Sequence, residues 1–482
     1  MFPAVTINGV KAAANGCRFP AKYGVRRLYY SKYNLVLPLQ DSVYKYAVLN
    51  SLSGAFDLAT EKEGELLSAY SQTQEDTSSG LSAYLKARGY LFESQAEEDA
   101  LVERKFAEFQ DVLQESAPQV LLIPTYNCNL ACVYCFQNGI KDKTALITPD
   151  VVDAFFAILP EIYPFQKPFI TLFGGEPLVY SPKQSEIIAY IVDKAAELDY
   201  EIAAVTNGYD LVQYLDVLTK AKVREIQVTI DGPQNLHDAR RHTKNGKGTF
   251  DQIMQGLTEA ISLGIPINLR AVVDKTNFAG LVDLANELEQ RGWLDLPPEK
   301  FKTQIGRNYE LFECYATPKH LLDQVEHWAK VVELSEQYPV LKKFHQPEFK
   351  GIKHLVQTGE LYLPTFDTCP ACKTEWVFDL YGQIYGCTAN TGREEYSLGT
   401  FYPQLQLNSS EIGEWQKRNV LNIPECRDCD VSLICGGGCG VVAKEKNGSV
   451  LSPDCRPIKG ILEQGLKYFQ SDILAMQETS SS

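Results

Sequence analysis

Apolar and polar residues follow two rhythms along this chain, and the rhythm changes near residue 115. Before that point the apolar runs are short. Asn34–Leu39 and Tyr44–Leu49 read as strands. Thr60 and Glu63 form a capping box ahead of a helix that carries Leu66, Leu67 and Tyr70. Residues 71–79 read as a polar loop, Leu81–Arg88 as a second helix stopped by Gly89, and Tyr90–Phe92 as a further strand. Residues 1–30 read as a weakly structured lead-in, and residues 95–115 as an acidic helix. The order strand, strand, helix, helix, strand predicts a small winged-helix-like module.

From Val120 onward, apolar strands alternate with amphipathic helices. Strands are expected at Val120–Ile123, Phe169–Phe173, Ala203–Thr206, Ile226–Ile230 and Ile267–Val273. Thr148-Pro149-Asp150 opens a helix with proline in its first turn and an apolar stripe of Val152, Phe155, Phe156 and Leu159. Residues 183–198 are helical. Thr249 and Gln252 cap another helix bearing Ile253, Leu257 and Ile261. Such alternation predicts an α/β fold with a parallel sheet, open or barrel-like. Residues 318–358 read as helical bridging material. The chain from Thr365 is rich in cysteine, glycine and turns, and the tail after residue 470 reads as flexible.

Composition narrows the function. Of 482 residues, 45% are hydrophobic and 22% charged, ordinary values for a globular chain with a real core. The formal charge of −15 repels phosphate backbones and argues against broad nucleic-acid binding. The N-terminal stretch lacks the basic flank and apolar core of a secretory signal, and no run is long enough for a membrane helix, so the expected location is the cytoplasm with no membrane partner. Cysteines stay reduced there, so 13 of them in regular spacings point to metal rather than disulfides.

Cys128, Cys132 and Cys135 follow the first strand of the α/β region as Cys-x3-Cys-x2-Cys. A 4Fe–4S cluster normally takes four thiolates, so three leave one iron open to a small molecule; a zinc ion completed by a distant ligand is the alternative. With Tyr134 between the last two cysteines, the run resembles the signature of the radical S-adenosylmethionine superfamily. That resemblance, over roughly residues 118–305, implies a partial (β/α)6 TIM-like barrel with ligands at the C-terminal ends of its strands. It also implies S-adenosylmethionine chelated to the open iron and cleaved by one electron to a 5′-deoxyadenosyl radical that abstracts hydrogen from the substrate. Gly174-Gly175-Glu176-Pro177, after the second strand, is then expected to bind the methionyl amine, the glycines permitting close approach. Thr206 and Asn207 are expected at the ribose and Arg241 at the methionyl carboxylate, with a surface ion pair as the plain alternative for Arg241. His237 reads as structural.

A second array comprises Cys372, Cys387, Cys426, Cys429, Cys435, Cys439 and Cys455, with Gly436-Gly437-Gly438 inside it. It resembles the seven-cysteine pattern of the SPASM extension, with Cys369 upstream as an eighth candidate. The resemblance implies two auxiliary 4Fe–4S clusters, hence three in all: one on Cys369, Cys372, Cys387 and Cys439, the other on Cys426, Cys429, Cys435 and Cys455. Structural zinc sites are the alternative, as is an open iron in place of Cys369. Cys17 reads as incidental, and Cys314 as a buried small residue or a substrate contact.

The expected organisation is a leader-recognition module (1–112), a radical core (113–316), a helical bridge (317–364), an auxiliary-cluster domain (365–470) and a tail (471–482). SPASM enzymes mostly modify peptides, and the N-terminal module resembles the leader-recognition domain of maturases of ribosomally made peptides; a plain structural subdomain is the alternative. The expected activity is cross-linking of a precursor peptide, as a thioether first and a carbon–carbon bond second, with a flavodoxin or ferredoxin as electron donor. One rival is an anaerobic sulfatase-type maturase forming formylglycine. That family often carries Asp after the cysteine of the Gly-x4-Cys element, where this chain has Thr388. The other is a non-catalytic iron–sulfur electron carrier.

Overall fold

The computed structural model describes residues 27–40, 42–70, 73–75, 80–140, 144–307, 320–362 and 364–480. Cys17 and Cys314 lie outside the described residues. The chain divides into two compact units: Met1–Glu115 with Pro347–Cys369 and Arg418–Ser482, and Ser116–Gln346 with Pro370–Lys417. Residues 317–364 and 365–470 are each shared between them.

In the first unit, the chain runs through β1 (Arg27–Tyr30), β2 (Asn34–Pro38), β3 (Tyr46–Asn50), β4 (Phe56–Ala59), α1 (Glu61–Ser68), β5 (Thr73–Glu75), α2 (Gly80–Ala87), β6 (Leu91–Phe92) and α3 (Gln95–Glu115). β2, β3 and β4 form an antiparallel meander, while β1 lies between β5 and β6. The capping box is present: the Glu63 carboxylate accepts from the Thr60 backbone N–H at 2.9 Å and from its hydroxyl at 2.7 Å. β1 falls where a lead-in was expected and β5 where a loop was. Thr-Gln-Glu is too short and polar to show a strand period, and it is paired only by residues some 46 positions away, Arg27 facing Glu75 among them. Buried Asp57 on β4 accepts from the Tyr84 and Tyr90 hydroxyls (2.5 and 2.7 Å) and from Arg88 Nε (3.1 Å), tying β4 to α2 and its exit. Gln470–Ser480 is helical rather than a flexible tail, anchored by Ile473, which is buried.

The second unit is built on six parallel strands in chain order: β7 (Gln119–Ile123), β8 (Phe169–Leu172), β9 (Ile202–Thr206), β10 (Val223–Thr229), β11 (Ile267–Val273) and β12 (Phe301–Arg307). α4 (Pro149–Ile162), α5 (Pro182–Glu197), α6 (Leu215–Leu218), α7 (Gln234–Arg240), α8 (Phe250–Ser262) and α9 (Gly280–Gln290) connect them. The stripe Val152, Phe155, Phe156 and Leu159 is buried as its spacing requires. β12 has no counterpart in the sequence reading: it is an edge of the parallel set, and its Lys302, Thr303, Gln304 and Arg307 obscure any apolar period. Beyond β7 the sheet continues with β13 (Glu375–Asp379), parallel to it, and then antiparallel β14 (Gln383–Tyr385), β15 (Gly399–Thr400) and β16 (Gln406–Leu407). The cysteine-rich region thus lends strands to the parallel sheet. Among the described residues no helix is long and apolar enough to cross a membrane.

Candidate active site

Every parallel strand of the second unit except β12 ends in a loop that carries a residue singled out above or its support. The cysteine loop after β7 is clamped from two sides by backbone hydrogen bonds. Gly175 N–H donates to Thr125 O (3.1 Å) and Glu176 N–H to Asn127 O (2.7 Å), while Ala131 N–H donates to His242 O (2.8 Å) and Val133 N–H to Arg240 O (3.0 Å). The glycines serve this clamp. A Cβ on Gly174 would lie 2.4 Å from Thr125 O, and one on Gly175 only 2.3 Å from both Tyr126 O and Asn127 O. Their small size is therefore required by the cysteine loop itself, a closer constraint than the cofactor approach expected of them. Pro177 is not among the cavity walls; its carbonyl accepts from Gln184 Nε2 at 2.8 Å.

Cys128, Cys132 and Cys135 open together onto one cavity of about 320 Å³, with Tyr134, Gly174, Gly175, Glu176, Thr206, Asn207 and Arg241 in the same walls. Burial, then the charge of Glu176, pushes the Cys128 thiol up to about 12, and burial raises Cys132 against the pull of Arg241. Ligation there must release protons.

Glu176 is buried and accepts from the Thr206 hydroxyl (2.6 Å), Asn207 N–H (2.6 Å) and Leu178 N–H (2.9 Å). Burial outweighs those three donors and pushes its carboxyl up to about 7. Thr206 and Asn207 thereby position Glu176, and Asn207 Nδ2 also donates to Asn129 Oδ1 (2.8 Å) in the cysteine loop. The carboxylate form is the one that pairs with an ammonium group. Affinity of the reconstituted protein for S-adenosylmethionine is therefore expected to rise about fivefold between pH 6 and 7, about tenfold between pH 6 and 8, and to level off above pH 8. Titration calorimetry across this range checks it, and Glu176→Gln should flatten the profile.

Arg241 is buried. Its Nη1 donates to the Tyr134 hydroxyl (2.7 Å), which donates to Asp231 Oδ2 (2.6 Å), and its Nε has no partner. The surface ion pair is thus excluded as an account of Arg241. Arg240 lies beneath, paired with Asp231 (3.3 Å) and Asp274 (2.7 Å) and over the Tyr134 ring at 4.9 Å. Neutral His237 is structural: burial, then Arg241, pushes it down to about 3, and its Nδ1 accepts from Asp231 N–H at 3.2 Å. The first N–H groups of α8 go to Asp238 Oδ1 (2.7 and 2.9 Å) rather than to Thr249, whose hydroxyl donates to Arg241 O (2.5 Å).

The residues present fit an iron–sulfur cluster bearing S-adenosylmethionine: three thiols on one cavity, a buried acid for an ammonium group, and an orphaned guanidinium Nε for a carboxylate. Among the described residues no three His, Cys, Asp or Glu side chains converge as ligands of a single metal ion.

Of the second array, Cys369, Cys426, Cys429, Cys435, Cys439 and Cys455 belong to the first unit, and Cys372 and Cys387 to the second. Cys435 ends the helix Ser432–Cys435, and Cys439 caps Gly440–Asn447. Gly436, Gly437 and Gly438 between them all have φ near +60 to +75° (63, 73 and 72°). Arg418, fully buried, holds this turn: Nη2 donates to Gly437 O (2.6 Å) and Nη1 to Ser452 O (2.7 Å) and to Val450 O. Nothing in the local sequence marks Arg418, because its acceptors are carbonyls that lie on distant segments.

Sequence reasoning also missed other polar residues of the cavity wall, among them Gln119, Gln227, Thr229, Arg270, Arg307 and Glu375. The signal was present, since Gln227 and Thr229, and Arg270 and Val272, occupy alternate positions on apolar strands and so share the inward face.

Residues 122–288 match the family model for the radical SAM superfamily. The chain is 25% identical over 374 residues to the serine-type anaerobic sulfatase-maturating enzyme of Bacteroides thetaiotaomicron, covering 71% of this chain and 86% of that one. It is 25% identical over 354 residues to the mycofactocin maturase MftC of Mycobacterium tuberculosis, covering 71% and 83%. The crystal structure of Streptococcus suis SuiB bound to the precursor peptide SuiA superposes with a TM-score of 0.50 at 15% identity, over 89% of this chain and 99% of that one.

Proposed function

The chain carries a radical SAM domain, and from that premise we propose that it is a peptide maturase that abstracts hydrogen from a ribosomally made precursor and closes an intramolecular cross-link, a thioether first and a carbon–carbon bond second. The observation that carries this reading is the meeting of Cys128, Cys132, Cys135, Glu176 and Arg241 on one cavity at the C-terminal ends of parallel strands. Bound there, the cluster and S-adenosylmethionine supply a one-electron cleavage and a hydrogen-abstracting radical. The chain's own part is to orient. Glu176 would accept from the methionyl amino group and Arg241 Nε would donate to the carboxylate, while Tyr134 and Asp231 hold Arg241 in place.

Peptide substrates are supported by the two maturases that match most of this chain. A cross-link requires removal of a second electron. The proposed acceptors are auxiliary clusters, one on Cys426, Cys429, Cys435 and Cys455 and one on Cys369, Cys372, Cys387 and Cys439. Residues 1–112, whose described part carries two small sheets, are the proposed leader-recognition module, taking the precursor against a strand edge. A flavodoxin or ferredoxin is the proposed reductant.

Formation of formylglycine is the second reading, supported by the sulfatase-maturating relative; Thr388 in the cavity wall, where an Asp is common in that family, weighs against it. Incubation of the reduced, reconstituted enzyme with peptides encoded beside its gene decides between them. A product that loses two hydrogens, gains no aldehyde and yields linked fragments supports the cross-link. A product that reacts with an aldehyde probe would replace it with the formylglycine reading.

A further inference from the structure

The cavity contains a second guanidinium that the cofactor reading does not use. Arg270 lies on β11, where its Cα is in register with Thr229 on β10 and Gln304 on β12, and its side chain lines the same cavity as the three cysteines. Its Nε is buried without a hydrogen-bond partner. Among the described residues no carboxylate pairs with it, although this chain carries 61 Asp and Glu against 46 Lys and Arg. The acids that share the cavity are engaged elsewhere: Glu176 holds its three donors, and Glu375 accepts from Thr388 N–H at 3.3 Å. Arg307, the neighbouring cation in the wall, donates to Leu322 O at 2.7 Å.

The fold makes room for Arg270 at a specific place. A Cβ on Gly306 would lie 2.9 Å from Arg270 Nε and 3.1 Å from Nη2, so the guanidinium lies across the one β12 residue without a side chain. Gly306 has no left-handed φ that would otherwise call for glycine. A cation held in a cavity with no partner is costly unless an anion arrives with a ligand, and the planar guanidinium fork matches a carboxylate better than a carbonyl.

We propose that Arg270, seated over Gly306, is the substrate-side anion site of this cavity and binds a carboxylate of the peptide substrate, from an Asp or Glu side chain or from a free C-terminus. The inference rests on the peptide-maturase reading and adds its specificity: the reacting segment carries a negative charge close to the site of hydrogen abstraction. Arg270 is a specificity residue, distinct from Arg241, which takes the carboxylate of S-adenosylmethionine.

The test uses the reconstituted full chain loaded with S-adenosylmethionine. The probes are short capped alanine peptides bearing one Glu, one Gln, or a free C-terminal carboxylate in place of the amide cap. A peptide with a carboxylate is expected to bind about ten- to a hundredfold more tightly than the neutral one, and comparing Glu with the free C-terminus identifies the source. Arg270→Gln should erase the preference and leave S-adenosylmethionine affinity within about twofold. Gly306→Ala, which leaves the arginine in the chain but takes its seat, should erase or sharply reduce it. A preference that survives Arg270→Gln overturns the proposal, as does a fall in S-adenosylmethionine affinity in Arg270→Gln matching that of Arg241→Gln. Equal binding of charged and neutral peptides overturns this inference alone, whereas failure of every peptide to bind overturns it together with the peptide reading.

Discussion

Replacing Cys128, Cys132 and Cys135 together with alanine is expected to lower the iron of the anaerobically reconstituted protein from about twelve to about eight atoms per chain. Reductive cleavage of S-adenosylmethionine should be abolished. The fold should survive, because the cysteine loop is held chiefly by backbone hydrogen bonds from residues 175, 176, 131 and 133. Removing the thiols costs the Leu130 N–H its bond to Cys128 Sγ (3.4 Å), a weak acceptor, so the melting temperature of the metal-free protein should fall only slightly. Iron and sulfide analysis with a chromatographic assay for 5′-deoxyadenosine checks both halves. Iron that stays near twelve would place the metal elsewhere. About four irons in the unaltered protein, with zinc making up the difference, would mean that the second array is structural, and the proposed cross-linking reaction would lose its proposed second electron acceptor.

The parts of this site that were legible in the sequence share one property: they are determined by neighbours within a few residues. Cys128, Cys132, Tyr134 and Cys135 sit on one short loop, and Gly174 to Glu176 on another, so spacing alone reveals them. Strands such as β11, apolar at five of its seven positions, were readable for the same reason. What stayed hidden depends on pairings between distant segments. β13 joins β7 across more than two hundred residues, Glu375 opposite Gln119, and no local pattern announces that a cysteine-rich region will extend the parallel sheet. Arg418 reads as an ordinary surface cation until its carbonyl acceptors come together around it.

Glycine shows the same boundary. That Gly174 and Gly175 matter was visible, but the reason was not: the loop they touch is the one carrying the cysteines, and the obstacle to a larger residue is backbone oxygen. Gly306 has no motif at all around it, and its role is defined by an arginine on the next strand. Electrostatics is hidden in the same way. The elevated carboxyl of Glu176 follows from burial that outweighs its donors Thr206 and Asn207, which end β9, and only the sheet order brings β9 beside the loop after β8.

Gly438→Ala is expected to empty the second array while sparing the first cluster. Gly438 has φ +72°, and a Cβ there would lie 2.2 Å from Asp454 O and 2.9 Å from Asp454 Cβ. The backbone angle alone costs about 1 kcal/mol for an L-residue. The contact with a backbone oxygen cannot be relieved by turning a side chain, and it forces apart the turn that Arg418 gathers. Asp454 also accepts from Cys439 N–H at 3.1 Å and pairs with Arg456 at 3.0 Å, so displacing it disturbs the position of Cys439 as well as the approach to Cys455. A loss of about 3 kcal/mol or more follows for the metal-free protein, and iron should fall toward about four atoms per chain, the share of Cys128, Cys132 and Cys135. Cleavage of S-adenosylmethionine without peptide should persist, and product formation from peptide should cease. Gly448→Ala is the control. It has φ +78° and nothing within 4 Å of the added Cβ, so it bears the conformational strain without the collision. It should cost about 1 kcal/mol and leave iron near twelve. If both variants lose iron equally, the left-handed angle rather than the packing of the Gly436–Gly438 turn is what the array depends on; if neither does, the turn is not part of a metal site.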